Sequence, residues 1–435
     1  MDCGDQQSER LYLLTNRNQC PLPQCLICYS GEDQMNRRTL LRLGSAALLA
    51  MATAFSSNVL AGETIKVGAV APKSGGLAGG STVTHWPNVE LWVKEVNDAG
   101  GLMVDGVRKQ IELIEYDDKT NPGDHIKALQ RLITQDEVDI LLPPYGTGFH
   151  IAAAPIYAKH GYPMVSVTSI TDQVGPLTEK FPNMFFTLGT TSAFVEGVVE
   201  ILKDARTAGT IGRKIAMVNV ADAFGIELAE VARPMMKAAG FEIVYDKSYP
   251  LGTADLSPIM KGAKASKPDA FIAWSYPPDT FGLTKEAITE NLDVKIFYTA
   301  VASSFPAYGG AFGPAANNTL GAGGVNPNDP KIAAYRKKHE QVTGKAPDYW
   351  ASANTYAAFE ILAQAIEGVG TIDRAKITQY IKDNSFDTIM GKIKFENQVS
   401  YKFWSVGQWQ DGVFRGVKGT GVDGSVGVRA KSGWQ

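Results

Sequence analysis

The chain has 435 residues, with 42 Lys plus Arg against 45 Asp plus Glu and a formal net charge of −3. That balance excludes the strongly basic surface by which proteins hold nucleic acid or an anionic membrane. All four cysteines (Cys3, Cys20, Cys25, Cys28) lie near the start, and Cys25-Leu26-Ile27-Cys28 lacks the second pair, or the histidines, of a zinc site.

Met35 opens an export signal. Asn36-Arg37-Arg38-Thr39-Leu40-Leu41-Arg42 is a basic segment, Leu43 to Phe55 is apolar, and Val59-Leu60-Ala61 offers the small residues that signal peptidase reads. The signal is placed at 35–61 and the working protein in the periplasm. Residues 1–34 are then a spurious or disordered extension, most simply a mis-assigned upstream start. The paired arginines suit either a Sec or a twin-arginine signal. Beyond Ala61 there is no cysteine, hence no disulfide or thiol nucleophile. No apolar stretch there approaches the roughly 18–20 residues that span a bilayer. The roughly 370 residues that remain suffice for two α/β domains.

Thr64 to Val70 alternates like a strand. Lys73-Ser74-Gly75-Gly76 turns the chain into a helix that runs to Asn97 and stops at Gly100-Gly101. Strand signals follow at 111–116, 138–142 and 164–167, with helices marked by Ile126, Leu129 and Ile133 and by 149–160. The rhythm restarts with strands at 214–220, 241–247, 270–274 and 295–298. Two such series predict an α/β fold of two doubly wound parallel-sheet lobes with an interlobe cleft. The Gly-, Asn- and Pro-rich stretch 309–329 reads as irregular. Helices are expected over 330–342, 349–367 and 373–383, and an antiparallel pair from 393–396 and 403–409.

In open α/β sheets ligands bind beyond the carboxyl ends of the strands. In Pro143-Pro144-Tyr145-Gly146-Thr147-Gly148 a strand ends and a helix begins. Free N–H groups at the helix start favour an anion, and Gly146 lets backbone approach a ligand. Thr147 is either a carboxylate donor or a helix cap. Ser166, Thr168, Ser169 and Thr171 form a hydroxyl-rich turn that suits binding or capping alike, and Ser74 has the same ambiguity. In the second series Asp222 reads as an N-cap, and Phe224 and Tyr276 as cleft walls or core. No phosphate loop, dinucleotide fingerprint or Gly-x-Ser-x-Gly elbow occurs. The five histidines lack metal-ligand spacing, so no metal or cofactor is expected. A hydrolase would have to use His150 with Ser169 or Thr147, without an orienting acid.

From Thr64 to about Gln410 the chain resembles the solute-binding proteins of ABC transporters in the leucine/isoleucine/valine-binding group, the type I periplasmic binding proteins. Ile65-Lys66-Val67-Gly68 leading to Ser74-Gly75, Asn97-Asp98-Ala99-Gly100-Gly101, Tyr116-Asp117-Asp118 with Pro122, Ala223-Phe224-Gly225, and Asp255-Leu256-Ser257-Pro258 before Lys267-Pro268-Asp269 carry the resemblance. It implies lobe one at 63–185 plus 312–388, lobe two at 186–311 plus 389–435, a hinge, and closure over a ligand. It implies Thr147, Ser169 and Thr171 as carboxylate donors, with Phe224 and Tyr276 covering the ligand from lobe two.

Amino-acid binders of this group place an acid after the strand that here ends at Tyr298. This chain reads Thr299-Ala300-Val301-Ala302-Ser303-Ser304, with Ala300 a candidate ligand contact, and a buried ammonium without a counter-charge costs several kcal/mol. Unless Asp222 or Asp279 substitutes, the expected ligand is a small carboxylate without an amine. The aromatic residue usual after the first Ser-Gly turn is replaced by Leu77-Ala78-Gly79-Gly80. The expected partners are a small carboxylate and the membrane permease subunits of an importer, with no nucleic acid and a monomeric state. The alternative is a periplasmic sensor feeding a signalling receptor.

Overall fold

A computed structural model describes residues 64–435. The expected export signal, the extension before it and the four cysteines lie outside the described residues. Strand β1, Ile65–Ala71, is buried over almost its whole length. It is central, pairing in parallel with Ile111–Asp117 on one side and Ile140–Leu141 on the other. A strand covered on both faces reads as a near-continuous apolar run. A second parallel pair, Met164–Ser166 with Met184–Phe186, belongs to the same half of the protein.

The second half is built on a seven-stranded sheet. From one edge its order is Val413–Thr420, Phe403–Gln410, Leu320–Gly321, Ile296–Thr299, Ala270–Trp274, Lys214–Val220 and Glu242–Tyr249. The last five run parallel, and the first two join antiparallel. Their burial is nearly complete in the centre. The architecture is thus the expected α/β one, with two largely parallel sheets clothed in helices. No helix among the described residues is long and apolar enough to cross a membrane.

Four local expectations are corrected. The single helix expected up to Asn97 is two, Ala78–Thr84 and Trp86–Asp98, broken at His85. Pro87 sits in the first turn of the second helix, where it has no N–H to donate to the carbonyl of Val83 and so cannot continue the first helix. The stretch 309–329 is less irregular than expected. It holds the end of the helix Pro306–Phe312, a 3₁₀ turn at Gly313–Ala316 and the strand Leu320–Gly321. That strand pairs with Tyr298 and with Gln408 and Gly407, so the segment 312–388 begins in the second sheet rather than the first lobe.

The expected pairing of 393–396 with 403–409 does not form. Gly391–Lys394 folds back on Ser385–Thr388, and Phe403–Gln410 pairs with Val413–Thr420 across Asp411-Gly412. Both turn residues have positive φ, 53° and 77°, the geometry of a two-residue type I′ hairpin.

Beyond this hairpin the segment 421–435 runs as a strap over the second sheet. Arg429 and Gly427 bond to the Gln408 and Gln410 side chains. The buried Lys431 donates to Ala315 O (2.9 Å), Asn317 O (3.0 Å) and Thr319 Oγ1 (3.4 Å). Trp434 donates to Leu292 O and meets the Phe297 ring edge-on.

Candidate binding cleft

The helix Thr147–His160 begins at Gly146, whose φ of 89° and ψ of 144° exclude a side chain. This backbone lets the Gly146 N–H bond Thr168 Oγ1 (2.9 Å) while its carbonyl accepts from His150 Nδ1 (2.8 Å). The Thr147 hydroxyl donates to Ile170 O (3.4 Å) and accepts from Ile170 N (3.2 Å). Two strand-end turns, 143–148 and 168–172, are therefore stitched into one surface. Thr147 serves that stitching, while the Ser169 hydroxyl in the same turn is fully buried and has no protein partner.

The second half presents Phe224 and Tyr276 to this surface. Their rings stack at 5.0 Å with an interplanar angle of 27°. The Tyr276 hydroxyl lies 3.8 Å from where a Cβ on Gly146 would stand, and Leu77 Cδ1 lies 3.6 Å from the same point. Pro277 packs on Gly79 and Gly80, and Ala223 on Gly148. Tyr145, Gly146, Thr147, Phe224 and Tyr276 are thus brought together where the two halves face each other.

Three candidates stand apart. Ser74 is exposed, and its hydroxyl donates to Asp117 Oδ2 (2.7 Å). The Thr171 hydroxyl is committed to Glu227 (3.0 Å). Ala300 offers no backbone group, since its N–H donates to Ala273 O and its carbonyl accepts from Ala322 N.

The two acids that could replace the missing counter-charge are also engaged. Asp279 Oδ2 accepts from the Tyr249 hydroxyl and the Tyr276 N–H, each at 2.9 Å. Burial pushes its pKa up to about 6, against the opposing pull of those bonds. Asp222 caps the helix Ala223–Ala238 through Gly225 N (2.9 Å), and burial raises its pKa too. His150 Nδ1 donates to the Gly146 carbonyl, no described bond links it to Ser169 or Thr147, and burial lowers its pKa to about 4. Among the described residues no cluster of His, Cys, Asp or Glu is placed to hold a metal ion. A groove of about 570 Å³ lined by Lys73, Trp86, Glu90, Lys94 and Lys345 lies wholly on the first half, away from the cleft.

Sequence reasoning missed Glu227 and the fit between Gly80 and Tyr145. Glu227 follows Asp222 by five residues on a polar helix face and looks like any solvated acid. The Gly79-Gly80 pair was visible, but only the fold shows what occupies the space above it.

Two strand-end turns facing an aromatic pair across a cleft define a ligand-binding protein of two α/β lobes. The profile of the periplasmic binding protein family matches residues 64–412, and the chain belongs to that family. It is 26% identical over 403 residues to Leu/Ile/Val-binding protein homolog 7 of Brucella melitensis, covering 86% of this chain and 94% of that one. The substrate binding protein LivJ of Streptococcus pneumoniae in complex with isoleucine superposes with a TM-score of 0.70 at 21% identity, covering 81% of this chain and 98% of LivJ. An R. palustris solute binding protein in complex with benzoate gives 0.71 at 19%, covering 84% and 99%. The relatives are solute-binding proteins, in agreement with the absence of enzyme signatures, and the resemblance to the leucine/isoleucine/valine-binding group holds.

Proposed function

We propose that this protein is the exported receptor of an ABC importer, and that it captures a small carboxylate without an ammonium group as its lobes close. The observation that carries this reading is the state of the acids around the cleft. None follows Tyr298, and both Asp222 and Asp279 already accept internal hydrogen bonds. A ligand ammonium would have to share Asp222, Asp279 or Glu227 with the protein donors these acids already hold, whereas a carboxylate would meet the unpaired Ser169 hydroxyl and the first-turn N–H groups of the helix at Thr147. The stacked Phe224 and Tyr276 rings suit a flat or aliphatic body. The relatives are consistent with either class, one being described with isoleucine and another with benzoate. The protein would act as a monomer, docking on membrane permease subunits.

A thermal-shift panel on residues 62–435 tests the reading. It sets leucine, isoleucine and valine against benzoate, 4-hydroxybenzoate and short aliphatic acids. A ligand that binds only the folded state raises the melting temperature by mass action. The expected response is to carboxylates lacking an amine. A response to branched-chain amino acids alone would refute it.

A further inference from the structure

The chain passes between the two halves twice beside one cavity. From Leu320–Gly321 in the second sheet it runs to the helix Pro330–Thr343, which is tied to the first half by Tyr335 Oη donating to Asn88 Oδ1 (2.7 Å) and by Lys338 pairing with Glu95. From the hairpin 385–394 it returns to the strand Phe403–Gln410. Ile389 N of that hairpin donates to Glu360 Oε2 (2.8 Å) on the helix Ala351–Val369, whose Asn354 donates to Val167 O (3.2 Å) in the first half. A cavity of about 410 Å³ takes its walls from both crossings. Its volume and its place between lobes are those of small-molecule sites.

Trp404 is the fixed wall. Three glycines make room for its indole: a Cβ on Gly416 would overlap it at Cζ3, and one on Gly419 or Gly324 would stand 3.1 Å from Cε3 or 3.2 Å from Cδ2. The benzene edge is thereby packed away, which leaves the pyrrole edge to line the cavity with Met390 and Val422. Lys402 supplies the charge. It is half-buried, and its Nζ stands over Gly391, 2.8 Å from where a Cβ would be. No hydrogen bond or ion pair with a described residue engages that ammonium. The other charges of the lining differ. Lys331 Nζ donates to Thr388 O (3.2 Å), and Asp329 caps the helix through Lys331 N (2.9 Å) and Ile332 N (3.1 Å). Asp423 is exposed at the rim, where water and salt screen it. A half-buried ammonium beside apolar side chains gains most from an acceptor that itself carries negative charge.

We propose that this cavity is a second ligand site, taking a small organic anion whose carboxylate meets Lys402 and whose apolar body lies against Trp404 and Met390. An occupant would touch both crossings at once. The site does not rest on the reading of the cleft, with which it shares no residue.

The test is nuclear magnetic resonance on residues 62–435, with benzoate and hexanoate as probes. The Met390 methyl and Trp404 indole signals are assigned with Met390→Leu and Trp404→Phe. The expected result is intermolecular cross-peaks from the probe to both groups, with saturable shifts. Lys402→Met should weaken binding at these signals about tenfold, the loss of one hydrogen bond to a charged group. Lys402→Arg should retain it, and Ser169→Ala should leave it unchanged. Absence of these cross-peaks with both acids would overturn the site, as would cross-peaks and affinity that Lys402→Met leaves at their wild-type values. Failure of the cleft reading would look different: cross-peaks at Met390 with no response of the Ile170 amide.

Discussion

Gly80 and Tyr145 are fitted to one another. The Tyr145 phenol oxygen occupies the space that a Cβ on residue 80 would need, with the ring carbon Cζ 2.7 Å from that point. Pro277 of the second lobe closes over the same spot, its Cγ at 3.3 Å. In an ordinary helix Gly→Ala gains about 1 kcal/mol. Here Gly80→Ala should instead lower the melting temperature and weaken any ligand-induced shift, since the phenol must move into the cleft. Adding Tyr145→Phe should recover only part of the loss, because the ring carbon remains. Stabilisation by Gly80→Ala alone would show the fit to be loose.

The hydroxyls of the two turns should behave oppositely. Thr147→Val strands the buried Ile170 N–H, which costs about 1–3 kcal/mol, and the ligand-free melting temperature should fall. Ser169→Ala removes a buried hydroxyl without a partner, so the ligand-free protein should be as stable as wild type or more so. Its affinity for a carboxylate should fall about tenfold, the loss of one hydrogen bond to a charged group. Calorimetric titration with whichever acid the thermal panel identifies reads both effects.

Asp279 makes stability depend on pH with a definite sign. Its folded pKa of about 6 exceeds the unfolded value of 3.8, with burial as the main cause. Its contribution is full below pH 3.8 and is lost as pH rises through about 6, at about 1.4 kcal/mol per pH unit between the two. Asn at 279 keeps an acceptor for the Tyr249 hydroxyl and the Tyr276 N–H but cannot ionise. Melting temperatures of wild type and Asp279→Asn from pH 4 to 7 should therefore diverge in favour of the variant as pH rises. Parallel curves would show that Asp279 ionises as freely in the fold as outside it.

His85 acts at the other end of the scale. It is buried with both ring nitrogens unpartnered, edge-on to Trp86 and Phe359. Burial, with smaller contributions from His150 and His125, lowers its pKa from 6.5 to about 3. Stability from this residue is present above pH 6.5 and is lost as pH falls towards 3. His85→Leu removes the liability, so its melting temperature should gain on wild type as pH drops from 6.5 to 4. An equal acid sensitivity in both proteins would place the acid weakness elsewhere.

The parallel sheets were legible because β1 and the strands Lys214–Val220 and Ala270–Trp274 are buried on both faces and so read as apolar runs. The turns at Gly146 and at Ser169 were legible because glycine and clustered hydroxyls follow those strands. The tail was not, although Asp411-Gly412 is a strong hairpin signal, because Ile393 and Phe395 resemble the apolar rhythm of the true partner strand. The roles of Thr147 and Thr171 were beyond reach for another reason. A threonine that stitches two turns and one that awaits a ligand are the same residue in a sequence, and only the positions of Ile170 and Glu227 separate them.

The strap has a practical consequence. The family's pattern ends at residue 412, yet the second sheet does not. A protein cut there would lose the outer strand Val413–Thr420 and the Lys431 ammonium that satisfies the carbonyls of Ala315 and Asn317. It would also lay bare the Phe297 face that Trp434 covers. In this member the boundary drawn by shared ancestry falls inside the folding unit, so that expression of the shared part alone should yield a chain with an exposed sheet edge and a tendency to aggregate.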